Sequence, residues 1–312
     1  FFMNLSYHRS TSPQWMQSNQ HKMFNGVMYS NNMCNNVDIY NYVKKLTLGP
    51  NERSEALHFL SVNREEIDNL AVLLWESPGT ITALLSEILS IYPHLTSASG
   101  SSSSAPLSLN SRLAGRVCNV LTLFQCVAGH QETRIPFIKA NIPMYLYPFL
   151  HTTNQSRECE CFKLTSLGII GNLVKAEQPE IIAYLLQNEF IPLCLRILKF
   201  GLMLPKIVAA FIVHKILADQ KGRGYVVQSD GRLETLLKVL NKVIIELTKE
   251  YNPRLSKNVT MSYDCLLKEP KVREKIAKMN MDFIKELVVP DGGDDLSALI
   301  SQLLEIGRAS CR

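Results

Sequence analysis

The usual signatures of catalysis are missing from this chain. It has no Gly-x-Ser-x-Gly elbow, no phosphate loop ending in Gly-Lys-Ser/Thr, no His-Glu-x-x-His and no Gly-x-Gly-x-x-Gly behind a strand. That removes the common starting points for acyl transfer, nucleotide hydrolysis, zinc proteolysis and dinucleotide chemistry. The eight cysteines form no Cys-x-x-Cys pair. Cys118, Cys126 and Cys194 lie in apolar runs, Cys159 and Cys161 are one residue apart, and the seven histidines are scattered. No metal centre or other cofactor is expected from such spacings, and free thiols suit a reducing compartment. No apolar run approaches the ~18 residues of a membrane span, and the N-terminus lacks the apolar core of a signal peptide. A soluble, intracellular protein without a membrane partner is the expectation. An excess of one charge is missing too: 33 basic against 28 acidic residues leave +5, too little by itself to argue for nucleic acid.

What is present is a large supply of apolar residues, 46% of 312, enough for one large domain or two ordinary ones. From Val37 onward they recur at helical spacing, as in Leu164, Leu167, Ile170, Gly171 and Val174, or Val208, Phe211, Ile212, Lys215 and Ile216. Alternation of the β type is largely absent. Prolines and glycines interrupt the pattern every 15 to 20 residues, among them Pro50, Pro93, Pro136, Pro179, Pro205, Pro253, Pro270 and Pro290, so the helices are many and short.

The interruptions repeat. "ANIPMYLYPFLHT" at Ala140 to Thr152 and "EFIPLCLRIL" at Glu189 to Leu198 both set Ile-Pro before an apolar run, 49 residues apart from Ile142 to Ile191. Proline lacks an N–H and fits the first turn of a helix, so Pro143 and Pro192 are expected to open equivalent helices. Each copy is preceded by a short helix ("TRIPFIKA", "EIIAYLLQ") and, before it, a long one ("RVCNVLTLFQCVAGH", "FKLTSLGIIGNLVKAE"). A weaker third copy puts its polar turn at Asp219, 41 residues after Gln178. This spacing fits the period of about 40 to 47 residues of armadillo and HEAT units. The expected fold is all-α, an armadillo-type α-solenoid.

Residues 1–36, rich in Asn, Gln, Ser and Met, read as a disordered tail, and residue 1 is Phe, as if translation were entered midway. Thr96 to Ser111, "TSASGSSSSAPLSLNS", reads as a serine-rich surface loop (96–111) inside a single repeat domain spanning 37–304. "EIGRASCR" at 305–312 reads as translated sequencing adapter.

Other features have bland readings. Gly222 to Gly224 ("GRG") has no strand before it and is expected to end a helix. Gly168 and Gly171 are expected to let helices pack closely. His130 and His151 fall at helix ends, and Tyr145 and Tyr147 read as core and groove lining.

The run "RVCNVLTLFQCVAGHQETRIPFIKANIPMYLYPFLHT" from Arg116, with "LTSLGIIGNLVK" and "FIPLCLRIL", closely resembles the eukaryotic "required for cell differentiation" family, the armadillo-repeat subunit of the CCR-NOT mRNA deadenylase complex. "LLWESPGTITALLSEILSIYPHL" and "KIVAAFIVHKIL" extend the resemblance over about Val37 to Leu304. The resemblance implies about six repeats and no catalytic activity. It implies docking on a helical segment of the large scaffold subunit, and capture of repressor proteins through helical or tryptophan-containing peptides. Residue by residue, it places one tryptophan pocket at Asp230 and Arg232, where the family's Tyr-x-Arg has become Asp230-Gly231-Arg232, removing an aromatic wall and setting an anion beside the arginine. A second pocket falls at Pro270, Lys271 and Arg273, and a helix-binding surface at Cys161, Phe162, Gly168 and Val208, with Cys161 in place of an aromatic residue. Side chains such as Tyr145, Tyr147 and Phe162 are expected to leave an exposed apolar patch.

The expected function is a noncatalytic adaptor of CCR-NOT that promotes mRNA deadenylation, decay and translational repression, in the cytoplasm including P-bodies and in the nucleus. The alternative is a nucleic-acid-binding solenoid or transcriptional cofactor with a basic groove, drawing on Arg116, Arg134, Lys163, Lys175 and Lys206. Self-association as a homodimer and weak nucleic-acid binding stay open.

Overall fold

A computed structural model describes residues 36–95, 111–278 and 292–309, and every regular element among them is helical. The expected tail and nearly all of the serine-rich loop lie outside the described residues. The chain opens with α1 (Asn36–Lys45) and α2 (Pro50–Val62), then α3 (Leu70–Glu76), α4 (Thr80–Leu95) and α5 (Ser111–Gly129). Next come α6 (Arg134–Lys139), a 3₁₀ turn (Ile142–Leu146) running into α7 (Tyr147–His151), and α8 (Arg157–Lys175). The following units are α9 (Pro179–Gln187), α10 (Phe190–Phe200) and α11 (Met203–Ala218), then α12 (Gln220–Val227), α13 (Asp230–Lys249) and α14 (Pro253–Leu266). The last described elements are α15 (Pro270–Lys278) and α16 (Asp294–Ala309). The final helix thus runs on through residues 305–309, with Ile306 packed on the core.

Three ladders of like helices hold the units together. The third helices stack in one row, α2 on α5, α5 on α8, α8 on α11, α11 on α14 and α14 on α16. The short first helices α6, α9 and α12 form a second row, and α10 on α13 belongs to a third. Six units result among the described residues, each burying its apolar stripe on its neighbours, as an armadillo-type solenoid must. The outcome is one contiguous core from Ile39 to Leu303.

Prolines start these helices rather than end them. Pro50, Pro179, Pro253 and Pro270 are first residues, and Pro136, Pro192 and Pro205 sit third, where an N–H would have no intrahelical acceptor. Pro143 and Pro192 do stand in first turns, each behind a residue in the left-handed region (Asn141, φ 54°; Glu189, φ 54°). Pro143, however, opens the 3₁₀ turn rather than an α-helix. Pro93 departs from expectation by lying inside the last turn of α4. The turns repeat as read: Gln178 precedes α9 and Asp219 caps α12, its carboxylate accepting from the amides of Lys221 (2.8 Å) and Gly222 (3.0 Å).

The "GRG" segment opens α12 instead of closing a helix. A Cβ on Gly222 would stand 2.0 Å from the carbonyl oxygen of Ile216, so only glycine lets α12 leave α11 so abruptly. Arginines close the other ends. Arg53 donates to the carbonyls of Leu46 and Leu48, Arg134 to Gly129, Arg223 to Leu217 and Arg273 to Leu267. Each satisfies carbonyls left without an amide partner at the end of the preceding helix and sets positive charge at the negative pole.

Among the described residues no single helix is long and apolar enough to cross a membrane; α9 and α10 pass such a test only together, across a 75° bend.

Candidate peptide-binding surface

The row α5, α8 and α11 carries the residues singled out for a peptide helix. On α8, Cys161, Gly168, Asn172 and Lys175 are partly or fully exposed at spacings of 7, 4 and 3, one helical stripe. On α11, Leu204, Val208, Phe211 and Lys215 form the corresponding stripe. At the seam between the two, a Cβ on Gly171 would meet Val208 Cγ1 at 3.8 Å and Phe211 at 4.0 Å. On the other side of α8, a Cβ on Gly168 would stand 2.9 Å from Gln125 Nε2. Gly168 is thus a point of close approach, whereas at Gly171 a methyl group would make only ordinary contact with α11.

Phe162 does not belong to that surface. It is fully buried, its ring 5.3 Å from that of Phe149, on the inward stripe Cys159, Phe162, Ser166, Ile169 and Leu173. Its position seven residues before Ile169 on an apolar phase already carried that signal. Tyr145 and Tyr147 are half-buried rather than open: Tyr92 donates to the Tyr145 carbonyl at 2.5 Å, and Tyr147 stacks on His151 and meets Phe190 edge-on at 5.0 Å. The exposed apolar patch expected from those three residues is not formed by them. Large exposed apolar side chains cluster instead at the turn between α10 and α11, Phe200, Leu202 and Leu204.

The second candidate region lies where α12, α13 and α15 meet. Arg232 lays its guanidinium over the ring of Tyr225, 3.8 Å from the centroid, and donates to the Tyr225 carbonyl at 3.0 Å. Asp230 does not compete for it. The carboxylate reaches across to Lys271 at 2.8 Å, and that ammonium, which also donates to the Val227 carbonyl, holds the Asp230 carboxyl below its usual range. The aromatic wall missing at position 230 is thus matched by Tyr225, two turns earlier and across a helix break, which sequence spacing gave no means to find. Lys271 joins the two expected pockets into one region. Pro270 only starts α15, and Arg273 turns away to the Leu267 carbonyl at 2.5 Å.

The basic residues considered for nucleic acid are spent internally. Arg116 pairs at 3.0 Å with Glu87, a buried carboxylate that also holds Arg53. Arg134 closes α5, and its burial lowers its affinity for the proton. Lys163 is buried against Glu160 at 2.5 Å, and Lys206 is paired with Glu246. Lys175 is exposed with no ion-pair partner among the described residues. Four of the five cations are therefore neutralised or committed, which argues against a basic groove built from them. Among the described residues no group of three or more His, Cys, Asp or Glu is placed to hold a metal ion.

Stacked three-helix units with an open row of long helices define an armadillo-type repeat protein. Two designed armadillo repeat proteins, one of them designed for modular peptide recognition, superpose with a TM-score of 0.54 at 15% and 14% identity, each covering 86% of this chain and 99% of its own. The family model described as "Cell differentiation family, Rcd1-like" matches residues 42–304. The chain is 44% identical over 238 residues to cell differentiation protein rcd1 of Schizosaccharomyces pombe, covering 76% of this chain and 81% of that protein. It is 42% identical over 227 residues to protein CAF40 of Saccharomyces cerevisiae, covering 72% of this chain and 58% of that one. The chain belongs to the Rcd1-like cell differentiation family, the family its central motifs resemble.

Proposed function

We propose that this protein is a noncatalytic adaptor subunit of the CCR-NOT complex, seated on a helical segment of the large scaffold subunit and presenting peptide-binding surfaces to repressor proteins. In that role it promotes mRNA deadenylation, decay and translational repression, in the cytoplasm including P-bodies and in the nucleus. The observation that carries the reading is the half-exposed face of the α5–α8–α11 row, where Cys161 and Gly168 toward α5 and Val208 and Phe211 on α11 lie partly open, with the charged Lys175 and Lys215 at the helix ends. Such a surface suits the apolar face of an amphipathic helix read at i, i+3, i+4 and i+7. The region around Arg232 and Tyr225 is the candidate for a tryptophan, which would extend a guanidinium–aromatic stack already in place.

Co-purification from cell extract tests the complex: recovery of the scaffold subunit and deadenylase with the tagged chain is expected, and their absence from a folded bait would overturn it. For the surface, Val208→Glu is expected to weaken binding of a helical repressor peptide at least tenfold in a calorimetric titration, with a cooperative unfolding transition retained. Unchanged affinity would remove the α8–α11 seam as the site.

A further inference from the structure

Helices α5 and α8 pack in parallel at a constant register. Cys118 faces Cys161, Gln125 faces Gly168 and Gly129 faces Asn172, each pair 43 positions apart. Gly168 permits the close approach, and Asn172 Nδ2 fastens it by donating to the Gln125 carbonyl at 3.1 Å. One consequence is that the sulfurs of Cys118 and Cys161 stand 3.4 Å apart, in van der Waals contact and both partly open to solvent. The helices are held by the whole seam, so the two cysteine backbones stay opposite each other.

We propose that Cys118 and Cys161 are an oxidation site, at which a peroxide converts the pair into an intrachain disulfide that staples α5 to α8 across a unit boundary. The sulfurs need to close by roughly 1.4 Å to reach the bond length of about 2.0 Å. Cys161 is the attacking group. Its thiol is pushed down to about 7 by the hydrogen bond with Cys118, helped by Thr165 and the positive charge of Arg157, against the opposing effect of burial. Cys126 and Cys194, by contrast, are pushed up by burial to about 11 and about 12, which leaves them as unreactive thiols. The Cys161 thiolate attacks one peroxide oxygen, the O–O bond breaks, and the released hydroxide takes a proton to leave as water, with Cys161 now a sulfenic acid. Cys118 then attacks the Cys161 sulfur, the S–O bond breaks, and the Cys118 proton leaves with the displaced hydroxide as a second water. Two thiols and one hydrogen peroxide give one disulfide and two waters; two electrons pass from the sulfurs to the peroxide. Cys161 also lies on the stripe proposed for peptide binding, but the oxidation site stands without that reading.

The test exposes the full chain to hydrogen peroxide at neutral pH, removes the peroxide, unfolds the chain in urea with N-ethylmaleimide present to block the remaining thiols, and maps peptides by mass spectrometry without reduction. The expected product is a monomer with the Cys118 and Cys161 peptides joined, two hydrogens lighter than their sum, and Cys194 recovered as its maleimide adduct. The oxidised chain should melt several degrees higher, reversibly with dithiothreitol, because the crosslink restricts the unfolded chain. In Cys118→Ser, dimedone should trap a sulfenic acid at Cys161 and the melting shift should vanish. Recovery of Cys118 and Cys161 as maleimide adducts, a crosslink to another cysteine, or a crosslink between two chains would overturn the proposal. Should the serine variant fail to fold, the crosslink map of the unaltered chain decides alone.

Discussion

The α5–α8–α11 seam and the α12–α13–α15 end are built from the same three-helix unit and share one apolar core, but differ in what is added to it at the surface. At the seam, contact is close where Gly168 meets Gln125 and apolar where Val208 and Phe211 lie on α8, backed by buried rings such as Phe162 and Phe149. At the far end, ion pairs between units are added around an apolar core that includes Leu233, Leu236, Val272 and Ile276: Asp230 with Lys271, Glu234 with Lys275, and Arg223 with Glu269. Dispersion and burial at the seam add up over many atoms and are indifferent to salt. Solvated ion pairs contribute little and are screened. A repeat protein can therefore keep one interface rigid and leave another adjustable without altering the fold, because neighbouring units interact only with each other.

The largest expected break in this comparison is Phe162→Ala. Removing a fully buried ring beside Phe149 should lower stability in urea unfolding by about 3–5 kcal/mol through lost burial and an unfilled cavity. A loss under about 1 kcal/mol would show that the seam is not the rigid half. Next comes Gly222→Ala, which places a methyl 2.0 Å from a backbone oxygen and forces the α11–α12 turn to move. About 1–3 kcal/mol is expected by the same assay, in the range of overpacked sites.

A pH series sharpens the contrast at His214, buried where α11 meets α14. Its pKa is lowered first by burial and then by Lys215, against weaker raising influences from the Met261 carbonyl, Glu177 and Asp264. The unfolded chain takes up a proton near pH 6.5 that the folded imidazole resists. Stability should therefore hold above that pH and decline as pH falls through and below it. His214→Gln should flatten the slope of urea midpoint against pH; an unchanged slope would assign it elsewhere.

Smaller again is Tyr225→Ala, which frees Arg232 and should weaken binding of a tryptophan-containing peptide by roughly two- to fivefold in calorimetry, the scale of an exposed cation–π contact. Asp230→Asn should leave the unfolding midpoint unmoved at any ionic strength, since both partners of its ion pair are largely solvated. A clear loss of stability at low salt would mean that the far end depends on its charges after all.

Much of the candidate site could be read in advance only in part. Gly168, Gly171 and Val208 are placed by motif and spacing; Gly171 and Val208 meet at the α8–α11 seam, while Gly168 faces Gln125 of α5. Phe162 was placed by motif alone, and the helical phase that buries it was the better guide. The pairing of Cys118 with Cys161 needed the register of α5 against α8, which follows once the two long helices are aligned by their glycine contacts. Tyr225 beside Arg232 depends on the turn between α12 and α13, and Glu87 between Arg53 and Arg116 on a contact across a unit boundary, neither of which a local pattern records.

Periodicity and proline placement determined that the chain is a stack of short helices, because apolar stripes at 3.6-residue spacing bury themselves against like neighbours and proline fits best in first turns, Pro93 being an exception. Whether a charged side chain is a ligand or a strut was decided by tertiary structure alone. Arg116, Arg134, Lys206 and Arg273 look alike in sequence, and each finds its carboxylate or carbonyl partner only after the ladders bring distant or successive helices together. A cation's availability is a property of its neighbours within a few ångströms, and in a solenoid those neighbours are set by how one unit docks on the next.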